Sequence, residues 1–320
     1  MSTFLVDTAS ELVDDLIDSI IKSTRLPVSQ ISYQNIDLVK FMAEEQQGTI
    51  TTLIRSIRED YWLQNYDQAI LPNVYQYPMP MRAAGGALVD MVFVDPGNSE
   101  IDIPHLDPSQ LKVQSFLSFR PLWMGQGIFL QNDQLTLWPQ TISNTSYKLR
   151  QKFERRPNLP TVSANCANIT NVNLASNQVT ISVTPTAFVA NYLVDIISNV
   201  GQFTSQGDNL QIQSAVGGVI TFSSNTPLSS TVAVGMWVCP AGLTCVPQLP
   251  FEGYPLLVAR AILRIPVGLG NQALFSTATK MAEDAEAKLR TLLTPRIKSS
   301  PKKFVNRNHV GGLYRILGAR

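Results

Sequence analysis

The chain has 320 residues, of which 44% are hydrophobic, a formal net charge of +1, three cysteines and two histidines. That length and composition suffice for two domains with cores of their own, while no window approaches the ~18 consecutive apolar residues of a membrane span. The opening MSTFLVDTASELVDD carries acids where a signal peptide would carry cations, so the expectation is that nothing directs the chain out of the cytoplasm.

The small net charge conceals a strong segregation. Between Pro157 and Phe251 there is no Lys or Arg, and the only acids are Asp195 and Asp208. From Pro295 to Arg320 there are seven cations, Arg296, Lys298, Lys302, Lys303, Arg307, Arg315 and Arg320, and no acid. Charge alone divides the chain into unlike parts.

In chain order, FLVDTASELVDDLIDSIIKS puts Leu5, Ala9, Leu12, Val13, Leu16, Ile17, Ile20 and Ile21 at helical spacing with acids between them, which predicts an amphipathic helix. NIDLVKFMAEEQQGTITTLIRSIREDYW continues the period through Ile36, Val39, Ala43, Ile50, Leu53, Ile54, Ile57 and Tyr61. Gly48 weakens it, so one long helix and two short ones are both open. Short segments rich in β-branched and aromatic residues follow: LPNVYQYPMP, GALVDMVFVD, LKVQSFLSF, GIFLQNDQLTLWPQ and SYKLRQKFERRP. They predict strands, with Asn132-Asp133 as a two-residue hairpin turn. From Thr161 to Pro250, alternating runs such as NQVTISVTP, NYLVDIISNV, DNLQIQS, GGVITFSS and STVAVGMWV predict a small sandwich or barrel. Helices then resume. FEGYPLLVARAILRIP has Pro255 near its start and Pro266 at its end, and NQALFSTATKMAEDAEAKLRTLLTP puts Leu274, Ala278, Met281, Ala285, Leu289 and Leu292 on one face before Pro295.

The apolar stripes at the two ends of the chain need partners, and the simplest partners are each other. The expected fold is α+β: a helical bundle formed by N- and C-terminal helices, a β-hairpin and strand region, an inserted all-β domain of sandwich or barrel type, and an extended C-terminal tail. The boundaries are 1–160 for the N-terminal helices and β region, 161–248 for the insertion, 249–295 for the C-terminal helices and 296–320 for the basic tail. The insertion, bounded by Pro160 and Gln248, is expected to be removable without loss of the rest.

Signs of chemistry are few. The chain contains no G-x-S-x-G, P-loop or H-E-x-x-H, and His105 and His309 read as loop histidines. Cys166, Cys239 and Cys245 cannot all pair with one another, and Cys239 to Cys245 lacks C-x-x-C spacing, so they read as buried or surface thiols rather than metal ligands. GQGIF at Gly125 to Phe129 and VGLG at Val267 to Gly270 lack a phosphate-cradle context and read as turns. Asp14 with Asp18, and Glu283 with Glu286, read as solvated helix faces. Arg155-Arg156-Pro157 reads as a strand end open to solvent or to a neighbouring subunit. No catalytic residue, cofactor or metal is expected, and the chain is not read as an enzyme.

Two N-terminal amphipathic helices run into REDYWLQNYDQAILPNVYQYPMP, with its aromatic residues and Y-x-x-P entry into the β region. GIFLQNDQLTLWPQ and SYKLRQKFERRPNLP then give a hairpin and a basic R-x-P strand. LPFEGYPLLVARAIL, a helix ending KLRTLLTPRIKSSPKKFVNR and a basic extended terminus close the chain. In this order the parts resemble the head-to-tail adaptor (connector) proteins of short-tailed, podovirus-type bacteriophages, over about 1–160 and 249–320; a minimal adaptor lacks the segment between.

The resemblance implies a structural virion protein, made in the host cytoplasm and placed in the tail connector, with no membrane insertion. Such a subunit forms a ring, typically dodecameric, with neighbouring adaptor copies. The ring joins the portal protein to the tail nozzle and forms part of the channel that double-stranded DNA traverses. It also implies that the C-terminal segment docks on the portal or a neighbour. Phe304, Val305, Leu313, Tyr314, Ile316 and Leu317 would fill apolar grooves, and Lys302, Lys303, Arg307 and Arg315 would meet acidic surface. Two rival functions are a glycan- or surface-binding virion protein using Tyr192 and Trp237 of the insertion, and a nucleic-acid-binding protein using the tail. The second suffers from the tail's few aromatics and from a remainder that is not basic.

Overall fold

The computed structural model describes residues 11–24, 33–58, 61–72, 74–103, 105–106, 127–131, 134–138, 146–198, 205–269 and 272–294. Within them the chain is mixed α and β, with a closed six-stranded barrel.

Helix α1 (Val13–Thr24) buries Val13, Leu16, Ile17 and Ile20, the predicted stripe. The second helical segment is neither one regular helix nor two separate ones. Helix α2 (Asn35–Glu45) runs through a π-turn (Gln46–Ile50) directly into α3 (Thr51–Ile57). Gly48 lies in that wider turn, where an extra residue is taken up without breaking the rod. Leu38 and Met42 are buried before the turn, Ile50 at its end, Leu53 and Ile54 after it, and Ile36 is exposed. Glu45 and Gln46 are drawn inward between them and find partners. Arg264 Nε and Thr49 Oγ1 donate to Glu45 at 2.7 and 3.0 Å, and Gln46 Nε2 donates to the Asn158 carbonyl at 2.8 Å.

Helix α4 (Tyr254–Leu269) continues through Pro266 rather than ending there, so Val267 to Leu269 are helical and not a turn. The proline removes one N–H close to the helix end, where little ladder remains to lose. Helix α5 (Gln272–Leu293) buries Ala278, Ala282, Leu289 and Leu293, while Met281 and Leu292, predicted inside, are exposed. Its seam is therefore rotated from the predicted stripe toward the small alanines. Helix α4 packs against α1, α2 and α5. Its Leu256, Leu257, Ala261, Ile262 and Ile265 share one apolar cluster with Val13, Ile17, Ile20, Met42, Ile54 and Leu289.

Four antiparallel strands, β1 (Leu63–Ala69), β3 (Ala83–Val94), β4 (Glu100–Asp102) and β7 (Lys148–Arg155), form a sheet ordered β1-β7-β3-β4. Strands β2 (Gln76–Pro78), β5 (Gly127–Gln131) and β6 (Gln134–Trp138) form a smaller sheet, whose Tyr77, Ile128, Leu135 and Leu137 pack on Met91, Phe93 and Leu149. The β5–β6 register ends with Gln131 opposite Gln134, as the hairpin reading requires; Asn132-Asp133 and LKVQSFLSF lie outside the described residues. Gly127, read as part of a turn, belongs to β5. A Cβ there would sit 2.3 Å from Leu106 Cγ, and the Leu106 N–H donates to the Ile128 carbonyl at 2.8 Å, so only glycine lets that segment lie on the strand.

The charge-poor segment closes as β10-β13-β12-β11-β14-β9. Its strands are β9 (Ala167–Asn173), β10 (Gln178–Ile181), β11 (Leu193–Ile197), β12 (Ser205–Val216), β13 (Val219–Phe222) and β14 (Trp237–Pro240). Ile169, Val179, Val194, Ile196, Ile212, Ile220, Phe222 and Val238 fill the interior, one face of each alternating run. Gly217 and Gly218, at φ of 60° and 78°, supply the left-handed residues of a tight β12–β13 hairpin. Two short strands, β8 (Leu159–Pro160) and β15 (Leu243–Thr244), pair in parallel, so the chain enters and leaves the barrel side by side.

Candidate functional site

That entrance is built on buried charge. Arg155, the last residue of β7, has a fully buried side chain whose Nη2 donates to Asp208 Oδ1 and, at 3.3 Å, to Asn158 Oδ1. Arg82 Nη2 donates to Asp195 Oδ2 at 2.8 Å. The same Asp195 oxygen accepts from Asn158 Nδ2 and the Gly242 N–H, and Asp195 Oδ1 accepts from the Asn209 N–H, each at 2.8 Å. The only two acids between Pro157 and Phe251 are thus both paired with arginines from outside that segment. Burial pushes the Arg155 guanidinium below its ordinary value, and the Asp208 and Asp195 charges oppose the shift. Arg155 is therefore not the open strand end that its sequence suggested; the barrel covers it because Asp208 is there to meet it.

Beside this cluster a cavity of about 270 Å³ is lined by residues that include Gln47, Thr51, Arg55, Trp62, Glu154 and Arg156. Two of its charges neutralise each other, with Arg55 Nε 3.1 Å from Glu154 Oε2. The carboxylate pairs considered from sequence are engaged or solvated. Asp14 Oδ2 accepts the Ser163 N–H at 2.9 Å, Glu286 pairs with Arg260 at 2.8 Å and Arg290 at 3.0 Å, and Asp18 and Glu283 are exposed. His105 is exposed and bridges to Ile128 through its backbone.

The four-stranded sheet carries a ladder of ions across all its strands. Arg150 grips Asp67 through Nε and Nη2 at 2.7 and 2.8 Å and reaches Glu100 at 2.9 Å, while Lys152 lies 2.6 Å from Glu100 and 3.6 Å from Asp90. The Arg150 hydrogen bonds hold the Asp67 carboxyl below its ordinary range, and those of Lys152 and Arg150 do the same for Glu100.

The three cysteines, free and buried, come together. The antiparallel β14–β9 register pairs Trp237 with Asn168 and Val238 with Ala167, so the next step brings Cys239 opposite Cys166. The turn through Gly242, at φ 84°, returns the chain along β15 and sets Cys245 beside Cys239, with the two Sγ atoms 3.9 Å apart. All three sulfurs lie within 4.8 Å of one another. Hydrogen bonds from the Cys239 and Cys245 thiols, with help from the Cys245 N–H, hold the Cys166 sulfur down at about 5. Burial pushes the Cys239 thiol up, and the hydrogen bond with Cys166 raises Cys245. The cluster sits under α1: the Val13 N–H donates to the Cys245 carbonyl at 2.9 Å, and Leu12 packs on it. Sequence reading missed this site because Cys239 and Cys245 flank a turn and the third sulfur arrives through strand register.

Tyr192 and Trp237 are both half-buried, the first tilted against Phe188 and the second packed on the cysteine cluster. The residues predicted to dock, from Lys302 and Lys303 through Phe304, Val305 and Arg307 to Leu313, Tyr314, Arg315, Ile316 and Leu317, lie outside the described residues. No described helix is long and apolar enough to cross a membrane. No protein-family model matches the chain, and no curated protein matches it.

Proposed function

We propose that the chain is a structural virion subunit, a head-to-tail adaptor. It would assemble as a ring, dodecameric in the family it resembles, between the portal and the tail nozzle of a short-tailed phage, and form part of the DNA exit channel. In this reading the helices from both ends form a bundle that supports the ring, and the tail from 296 to 320 docks on the portal or a neighbouring copy.

The observation that supports it best is the open edge of the four-stranded sheet. Among the described residues strand β1 pairs on one side only, with β7, over seven residues, and Leu63 and Tyr66 project from it exposed. An edge of that length invites a second chain to extend or cover it. A ring satisfies such an edge repeatedly, each copy offering one surface and receiving another. The glycan-binding alternative has less support, since Tyr192 and Trp237 are both half-buried, one tilted against Phe188 and the other packed on the cysteine cluster.

Sedimentation and negative-stain imaging of the purified chain, alone and mixed with a candidate portal, test the reading. Rings on mixing are expected. A stable monomer that ignores every portal offered overturns it.

A further inference from the structure

We propose that Cys166, Cys239 and Cys245 form a three-thiolate site for one zinc ion, buried where α1 meets the barrel. The spacing is that of ligands rather than of a disulfide. An ion about 2.3 Å from each sulfur holds the sulfurs about 3.8 to 4.0 Å apart, whereas a disulfide brings them to about 2.0 Å. Cys239 Sγ and Cys245 Sγ are 3.9 Å apart, and Cys166 Sγ completes the triangle within 4.8 Å.

Three sulfur donors select a soft or borderline ion over magnesium or calcium. Charge then separates the candidates. Three thiolates in a buried site need as much positive charge as one ion can bring, so a divalent ion leaves less uncompensated than copper(I). Asp14, whose charge is felt at Cys166, adds to that preference. Among the described residues no His, Asp, Glu or further Cys joins the group, so the three sulfurs are the ligands the described chain supplies. On binding, the sulfurs that are still protonated release their protons to solvent. The bound ion would fasten three stretches of chain and, through the Cys245 carbonyl, the start of α1.

The full-length chain, purified under reducing conditions and stripped with a chelator, is titrated with Zn²⁺ in competition with a chromophoric chelator, and separately with Co²⁺. The expected result is one Zn²⁺ per chain, a higher melting temperature, and a Co²⁺ spectrum with thiolate charge-transfer and tetrahedral d–d bands. Cys166→Ser, Cys239→Ser and Cys245→Ser should each weaken binding more than the ~100-fold that loss of a supporting partner produces. Because these variants can fail to fold, the Co²⁺ spectrum of the unmutated chain gives an independent readout. A reduced, folded chain that takes up less than one Zn²⁺, or a Co²⁺ complex without the charge-transfer band, overturns the proposal. A stripped chain that unfolds and refolds on adding Zn²⁺ supports it; one that Zn²⁺ does not refold overturns it.

Discussion

Arg82 Nη2 donates to Asp195 Oδ2 across 2.8 Å, from the residue before β3 to the middle of barrel strand β11, and the aspartate side chain is wholly buried. Asp195 gathers four donors, two of them backbone N–H groups. Asp195→Ala is therefore expected to destabilise by about 3–5 kcal/mol, leaving a cation and three other donors without their acceptor. Arg82→Met removes one donor of four and should cost less. Urea unfolding of the two variants checks this, and the reverse order would show that the carboxylate is not the centre of the network.

The same relationship changes the expectation for removing the insertion. Replacing Thr161 to Gln248 with a short Gly/Ser linker takes away Asp208 from buried Arg155, Asp195 from Arg82, and the Cys245 carbonyl from the Val13 N–H. The surface under the barrel is then laid bare, and Leu12 loses the apolar cluster on which it packs. The expected product is insoluble or unfolded by gel filtration and circular dichroism. A helical, monodisperse product would show that the two parts are separable after all.

Acid should loosen the ion ladder. Asp67 and Glu100 have folded-state pKa values below their ordinary ones, so the folded chain binds fewer protons than the unfolded chain. The stability they contribute is present above about pH 4 and is lost as pH falls through the folded values. Both groups are partly exposed, so each contribution is small. Arg150→Met should flatten the decline of melting temperature below about pH 4; parallel curves for the variant and the unmutated chain would refute the assignment.

The docking role of the tail has its own test. Each buried aliphatic contributes roughly 1.5–3 kcal/mol. A chain carrying Val305→Ser, Leu313→Ser, Ile316→Ser and Leu317→Ser should keep its melting temperature and fail to assemble with the portal. Normal assembly would sink the docking reading. Retained assembly with lost DNA binding after deletion of Ser299 to Arg320 would assign the tail to nucleic acid.

Where burial follows one period, the residues themselves announced the structure. The α1 stripe and the alternating barrel runs are of this kind. Strand β1 was illegible because LQNYDQA is exposed on most of its length and depends on cross-strand pairs such as Asp67 with Arg150. The buried face of α5 slipped because alanines at 278 and 282 pack more closely than Met281 and Leu292. The joint between sheet and barrel was legible only as an oddity, two acids in a stretch without cations. Their partners lie far away in the chain, and no local pattern points to them.

That oddity has a further effect. With Asp195 paired to Arg82 and Asp208 to Arg155, neither acid between Pro157 and Phe251 is left unpaired. Added salt has almost nothing to screen on the barrel, whereas the acid-free tail is densely cationic. Contacts made by the barrel should therefore be indifferent to ionic strength. An assembly taken apart by rising salt would release its tails first, and whatever the barrel holds would stay held.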